Sequence, residues 1–155
     1  MAQPPRNSEG IVLPHDDPDI AADDDLFRYI DPIYHLVDCE MTGGKRLSSA
    51  ALSESNRDAP FGGMSVDIAP LMVRDEVEPE GRIPNESWGI IRLRTGDMRG
   101  HSFQVGSDPI KDDPKLDDNP QHGEVWGISK GMRKKAVKTA IMKSVRWHKK
   151  ATGVR

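Results

Sequence analysis

The sequence predicts an α+β fold, in which a small, mainly antiparallel sheet is covered by a C-terminal amphipathic helix. Two observations indicate this fold. Three short segments between Trp88 and Ile128 have the alternating or β-branched pattern of strands. Beyond them, apolar residues recur at three- and four-residue intervals over 130–149, which is typical of one face of a helix. Because three short strands are not stable alone, we expect the helix to cover one face of their sheet.

The first 25 residues are predicted to form a disordered acidic tail. This stretch combines four prolines with two clusters of Asp and contains little that could be buried. We expect a single α+β domain over 26–150, followed by a short C-terminal tail at 151–155. A chain of 155 residues with only 35% hydrophobic residues fits one such domain with a mobile tail.

The domain is predicted to begin with a strand at 26–30, which Asp31-Pro32 ends. The central strands are expected at 87–95, 101–105 and 124–128, with a turn or a single helical turn between the first two. The other stretches are assigned as follows: a strand or a helical turn at 33–41, a loop at 42–46, some helical periodicity at 47–54, a strand or the approach to a turn at Pro70 over 64–69, and exposed connections at 75–84 and 108–121.

The charges of the chain are divided between its two ends. Residues 1–40 contain ten acidic residues and two arginines, whereas 130–155 contain ten Lys and Arg residues and no acidic residue. The predicted helix at 130–149 therefore has a cationic face, with Ser129 as its N-cap and His148 on its apolar stripe. Such a division is typical of a nucleic-acid-binding end with an acidic tail, and equally of self-complementarity within one chain or a dimer.

Several classes of protein are disfavoured by composition. No apolar run approaches the roughly 20 residues of a membrane helix, and the first residues lack the pattern of a secretory signal. Cys39 is the only cysteine, which excludes an intramolecular disulfide and suits a cytoplasmic protein. We also predict no metal site, because the five histidines are scattered and the Asp clusters lack the EF-hand spacing.

Four short motifs occur in an order that resembles a diffuse group of small bacterial proteins without an assigned activity. The motifs are Phe27-Arg28-Tyr29-Ile30-Asp31-Pro32, Arg46-Leu47-Ser48-Ser49-Ala50-Ala51, Met64-Ser65-Val66-Asp67 and Asn119-Pro120-Gln121-His122. That group tends to have an Arg-x-x-His-Pro-like start, a Met-Ser-Val segment and a late Pro-x-His before a strand, and here Asp31 stands where it often has His. The resemblance covers 26 to about 148 and implies an ordered domain without implying a reaction.

Four residues are candidates for catalysis. Arg28, Ser49 and Glu124 are similar to the Arg, Ser and Glu of an ADP-ribosyltransferase, in which they would clamp an anion, position a ribose and stabilise an oxocarbenium-like centre. His122, beside a predicted strand, is a candidate acid or base. This hypothesis implies NAD as cofactor and requires the four side chains to meet in one cleft. Each residue also has an ordinary structural explanation, and Glu124 lacks the paired Glu or Gln that is frequent in that class.

The leading functional hypothesis is a non-catalytic, cytoplasmic accessory or interaction protein without a cofactor. Its basic helix would contact an anionic protein surface or nucleic acid, and no membrane. The binding residues are predicted to be Arg133, Lys134, Lys135 and Lys138, with Trp147 stacking on a base. A structural subunit of a larger assembly is a further alternative.

Overall fold

The computed structural model describes residues 3–55, 58–128 and 134–155, and within these ranges it contains eight strands and three α-helices. The strands are β1 (Asp25–Ile30), β2 (Leu36–Cys39), β3 (Gly44–Leu47), β4 (Met64–Ile68), β5 (Gly89–Arg94), β6 (Gln104–Ser107), β7 (His122–Trp126) and β8 (Arg146–Lys149). The helices are α1 (Ala69–Arg74), α2 (Thr95–Gly100) and α3 (Lys134–Ser144), and short 3-10 helices lie at Ser49–Ala51 and Pro79–Arg82.

Six of the strands form one antiparallel sheet in the order β6-β7-β4-β1-β5-β8, and β2 and β3 form a separate hairpin. The predicted α+β class, with a mainly antiparallel sheet and a C-terminal helix, is therefore confirmed. The strands expected at 26–30, 64–69 and 124–128 are present within a few residues of their predicted bounds.

The sheet is covered on both faces around its centre. Leu26 and Ile30 of β1 belong to the larger apolar cluster, while Phe27 packs with Ile90 and Met72 in a smaller one. Because successive residues of a strand point to opposite faces, the two clusters lie on opposite sides of the sheet. This is why β5 has consecutive buried apolar residues where a half-exposed strand would alternate.

The C-terminal helix predicted over 130–149 extends beyond the end of the helix that the structure shows. α3 ends at Ser144, and the chain then turns into β8, where Trp147 pairs with Ile91 of β5. Within α3, Ile141 is buried and Val137 and Met142 are partly buried. The spacing of Trp147 and His148 fits a helix, but both residues lie in a strand. The hydrogen bonds of this strand come from β5, and a local sequence pattern cannot show such a partner. The proposed N-cap, Ser129, lies outside the described residues.

The acidic segment before β1 differs from the predicted disordered tail, since residues 3–24 lie against the domain. Val12 and Ile20 are each 1% exposed. The Asp16 carboxylate accepts hydrogen bonds at 3.0 Å from the Val105 amide and from Nε of Arg99. Two apolar contacts and a carboxylate bound to a strand edge are enough to order a segment whose composition predicts disorder.

Two further differences concern short elements. Residues 44–46, predicted as part of a loop, and Leu47, predicted to begin a segment with helical periodicity, form β3, which pairs with β2 in a hairpin. Pro70, predicted at a turn, lies in the first turn of α1, where its missing amide hydrogen costs no helical hydrogen bond. No helix within the described ranges is both long and apolar enough to cross a membrane.

Candidate functional site

A cleft of about 720 Å³ lies where β1 separates from β4. The two strands pair only at Leu26–Ile68 and Phe27–Asp67, whereas β1 continues to pair with β5 as far as Ile30. The gap that follows is lined by residues of both strands, of the 3-10 helix at Pro79–Arg82 and of the connection before β7. Its volume is within the range of small-molecule binding sites.

Arg28 extends across this gap. Its Nε donates to the Ala51 carbonyl and its Nη1 to the Ser65 carbonyl, both at 3.0 Å. Burial lowers the pKa of Arg28 to about 10, so the guanidinium remains charged at neutral pH. Both acceptors are neutral, and within the described ranges no carboxylate forms an ion pair with Arg28.

His35 also lines the cleft. Its pKa is lowered by burial and then by the charge of Arg28, and Asp31 opposes this shift only in part. The ring is therefore neutral near pH 7. Its Nδ1 accepts a hydrogen bond of 2.9 Å from the Asp31 amide, so the proton of the neutral ring is on Nε2.

A hydrogen-bonded network forms another wall of the cleft. Asp67, 1% exposed, accepts hydrogen bonds from the Tyr29 hydroxyl at 2.5 Å and from Nδ2 of Asn119 at 2.8 Å. Burial and the Asp67 carboxylate raise the pKa of Tyr29 far above its ordinary value, so Tyr29 remains a donor. The network fixes Asp67 on the side of the cleft that includes Arg82.

Three carboxyl groups form a second cluster, beside β7. One oxygen from each of Asp58, Asp108 and Glu124 lies within 4.8 Å of the others, and Asp108 and Glu124 are almost fully buried. Burial, then Asp108 and then Asp58, raises the pKa of Glu124 to about 8. These residues could hold a divalent cation or share a proton. Glu124 is a sequence-predicted candidate, but its grouping with Asp58 and Asp108 is not predictable from the sequence, because the three residues come from separate segments and have no common spacing.

Only two of the four predicted catalytic residues lie together. Arg28 and His122 line the cleft, and Nδ1 of His122 lies 2.6 Å from the Asp108 carbonyl. Ser49 is exposed at the start of a 3-10 helix and does not line the cleft. Glu124 lies two residues along β7 from His122, about 7 Å at strand spacing, and is directed to Asp108 instead. The four side chains therefore do not converge as the NAD hypothesis requires.

The predicted binding residues form a cationic surface, which we define as Lys134, Lys135 and Lys138 of α3. Lys134 and Lys135 are exposed and Lys138 is partly buried. In the described part of the chain, none of the three forms an ion pair. Trp147 is not part of this surface, because it lies in β8 and packs against the larger apolar cluster. Arg133 lies outside the described residues.

The cleft, the carboxyl cluster and the cationic surface are thus three distinct features. Some other cations of the described residues form ion pairs, as Arg94 does with Asp23 at 3.4 Å and Arg99 with Asp16 at 3.0 Å. The three lysines of the cationic surface differ from these arginines in that respect. Comparison with known proteins found no matching family model, no matching curated protein and no matching solved structure.

Proposed function

We propose that the protein is a non-catalytic, cytoplasmic accessory protein that binds the phosphate backbone of nucleic acid through its cationic surface. The observation that carries this proposal is the absence of ion pairs at Lys134, Lys135 and Lys138 within the described residues. A cytoplasmic location is in keeping with the single Cys39, since disulfides are rare there.

The lysines of α3 repel one another. Lys134 and Lys138 are four residues apart and so lie on one side of the helix, where a like-charge pair costs about 0.2–0.5 kcal/mol. No acidic residue follows in the rest of the chain, from 139 to 155. A bound polyanion would relieve this repulsion and would release its own condensed counterions.

Nucleic acid fits this surface better than a protein does. The exposed residues between and directly after the three lysines are small, namely Ala136, Thr139 and Ala140. The large exposed apolar side chains of the described residues lie elsewhere, at Ile33, Tyr34, Val37, Met41, Val73 and Leu116. The centre of a protein interface is usually enriched in aromatic residues and depleted of Lys, whereas phosphate contacts require only positioned charge.

Fluorescence anisotropy with labelled 20-nucleotide single strands, measured over a salt series, tests the proposal. We expect log Kd to depend linearly on log salt, and Lys134→Gln with Lys135→Gln to reduce that slope by about 1.4, since each lost phosphate contact to a single strand contributes about 0.7. Adding Lys138→Gln should reduce the slope by up to about 0.7 more. Lys111→Gln with Lys115→Gln removes two exposed lysines elsewhere and is the matched control.

Two results would overturn the proposal. One is an unchanged slope and affinity in the α3 variants, or an equal loss in the control. The other is binding to polyglutamate without binding to nucleic acid, which would assign the surface to an acidic protein instead.

A further inference from the structure

Arg28 places an uncompensated positive charge at the cleft. A guanidinium has five N–H donors, and two of those of Arg28 donate to the carbonyls of Ala51 and Ser65. A cation removed from water loses several kcal/mol of solvation unless an anion lies beside it. The described residues supply no such anion to Arg28, whose pKa shift has burial as its cause.

Asp67, the buried carboxylate of the same cleft, forms its hydrogen bonds with residues other than Arg28. Both oxygens of Asp67 accept hydrogen bonds, from Tyr29 and from Asn119. The charge of Asp67 acts on Tyr29, as does that of Arg82. The cleft therefore has an acidic side, formed by hydrogen-bonded Asp67 with Asp117 and Asp118, and an Arg28 side whose hydrogen-bond acceptors are both neutral carbonyls.

A second donor lies close to Arg28. Because Nδ1 of His35 accepts the Asp31 amide, the neutral ring carries its proton on Nε2. Arg28 and His35 both line the cleft, and the charge of Arg28 contributes to lowering the pKa of His35. Two donors of this kind, one charged and one neutral, are suited to the oxygens of a carboxylate or a phosphate ester.

The remaining walls indicate the rest of the ligand. Trp88, Ile110 and Leu116 give the cleft an apolar portion, and Leu116 is 45% exposed although it is a large aliphatic residue. We propose that the cleft binds a small aryl or alkyl anion, whose carboxylate or phosphate contacts Arg28 and His35 and whose apolar body packs on Trp88 and Leu116. This site is independent of the cationic surface on α3 and requires no nucleic acid.

Benzoate and phenyl phosphate are suitable probes, with benzamide as the neutral isostere of benzoate. Each is titrated into ¹⁵N-labelled protein, and the amide and Arg28 Nε–H shifts are followed by NMR. We expect benzoate or phenyl phosphate to shift signals of Arg28, His35 and Ser65, and benzamide to bind at least tenfold more weakly. The comparison of benzoate with phenyl phosphate identifies which anionic group the cleft prefers.

Two variants separate binding from folding. Arg28→Gln should abolish anion binding, but it also removes hydrogen bonds to Ala51 and Ser65 and so tests stability as well. Gly81 lines the cleft, and a Cβ there meets no atom within 4 Å. Gly81→Trp adds bulk at the wall of the cleft without a clash at its Cβ, and should weaken benzoate binding at least tenfold. Gly100 has equally open surroundings outside the cleft, so Gly100→Trp is the control and should bind as the wild type does.

The outcomes are distinct. Loss of benzoate binding in folded Gly81→Trp, with retention in Gly100→Trp, supports the site. Equal binding of benzoate and benzamide, unchanged binding in Gly81→Trp, or shifts confined to α3 would each overturn it, the last by assigning the anion to the cationic surface. Failure of nucleic-acid binding has no bearing on these results, because the two sites share no residue.

Discussion

Replacing Glu124 with Gln should remove a specific pH dependence from the stability of the fold. The Glu124 side chain is 1% exposed, and burial with the charges of Asp108 and Asp58 raises its pKa from 4.5 to about 8. Between these two values the folded protein keeps a proton on Glu124 that the unfolded chain has released. The contribution of protonated Glu124 to the free energy of unfolding is therefore fully present below about pH 4.5 and is lost as the pH rises through about 8.

The size of the effect follows from the width of that window. Each pH unit between the unfolded and folded pKa lowers the free energy of unfolding by about 1.4 kcal/mol. Across the whole range from pH 4.5 to about pH 8 the loss is on the order of 5 kcal/mol, a large part of the 5–15 kcal/mol that stabilises a typical domain. Gln has nearly the shape of protonated Glu and can donate to Asp108, but it does not titrate.

Urea unfolding from pH 5 to pH 9 measures this difference. The wild-type free energy of unfolding should fall relative to that of Glu124→Gln as the pH rises, and the variant should be the more stable protein above about pH 8. Glu40→Gln, which removes an exposed carboxylate, should give a profile parallel to the wild type. Parallel profiles for wild type and Glu124→Gln would refute the argument, because they would show that Glu124 takes up no extra proton on folding.

Two further substitutions test the packing described above. Tyr29→Phe removes the hydroxyl donor to buried Asp67 and should lower the free energy of unfolding by about 1–3 kcal/mol; an unchanged urea midpoint would show that Asp67 does not depend on Tyr29. At Gly89 a Cβ would lie 2.6 Å from the Ala151 amide nitrogen and from the Trp147 ring. Gly89→Ala should therefore displace β8 from β5 and speed amide exchange in Arg146–Lys149, whereas Gly100→Ala, with open space around it, should not.

The sequence predicted those elements whose signal is local. β4 alternates apolar and polar residues over five positions, and β1 combines aromatic and aliphatic residues that favour a strand and is followed by Asp31-Pro32. The end of α3 could not be found in this way, because β8 depends on the edge of β5. Its four residues include a single large apolar side chain, Trp147, which is too little to distinguish a helical from an alternating pattern, so only the partner strand decides between them.

The candidate sites also divide into residues that the local sequence indicates and residues whose role depends on distant parts of the chain. Arg28 and His122 were identified from residue type and position beside strands, and both line the cleft. His35 was not identified as a site residue from the sequence, since its role depends on a tautomer that the Asp31 amide sets in the folded chain. The carboxyl cluster could not be predicted from the sequence, because the three segments that carry Asp58, Asp108 and Glu124 meet only in the folded chain.

Arg28 satisfies backbone carbonyls at the gap between β1 and β4. Where a strand passes from two neighbours to one, its freed edge leaves backbone carbonyls without partners, and these must be satisfied. Arg28 donates to one such carbonyl, that of Ser65 on β4, and so replaces a strand pair with a side chain. An aliphatic residue at this position could not do so, and closure of β1 onto β4 would remove the space that the cleft occupies. Arg28 thus bridges the separated strands and also places a charge within the gap, which is why binding and stability are expected to change together in Arg28→Gln but separately in Gly81→Trp.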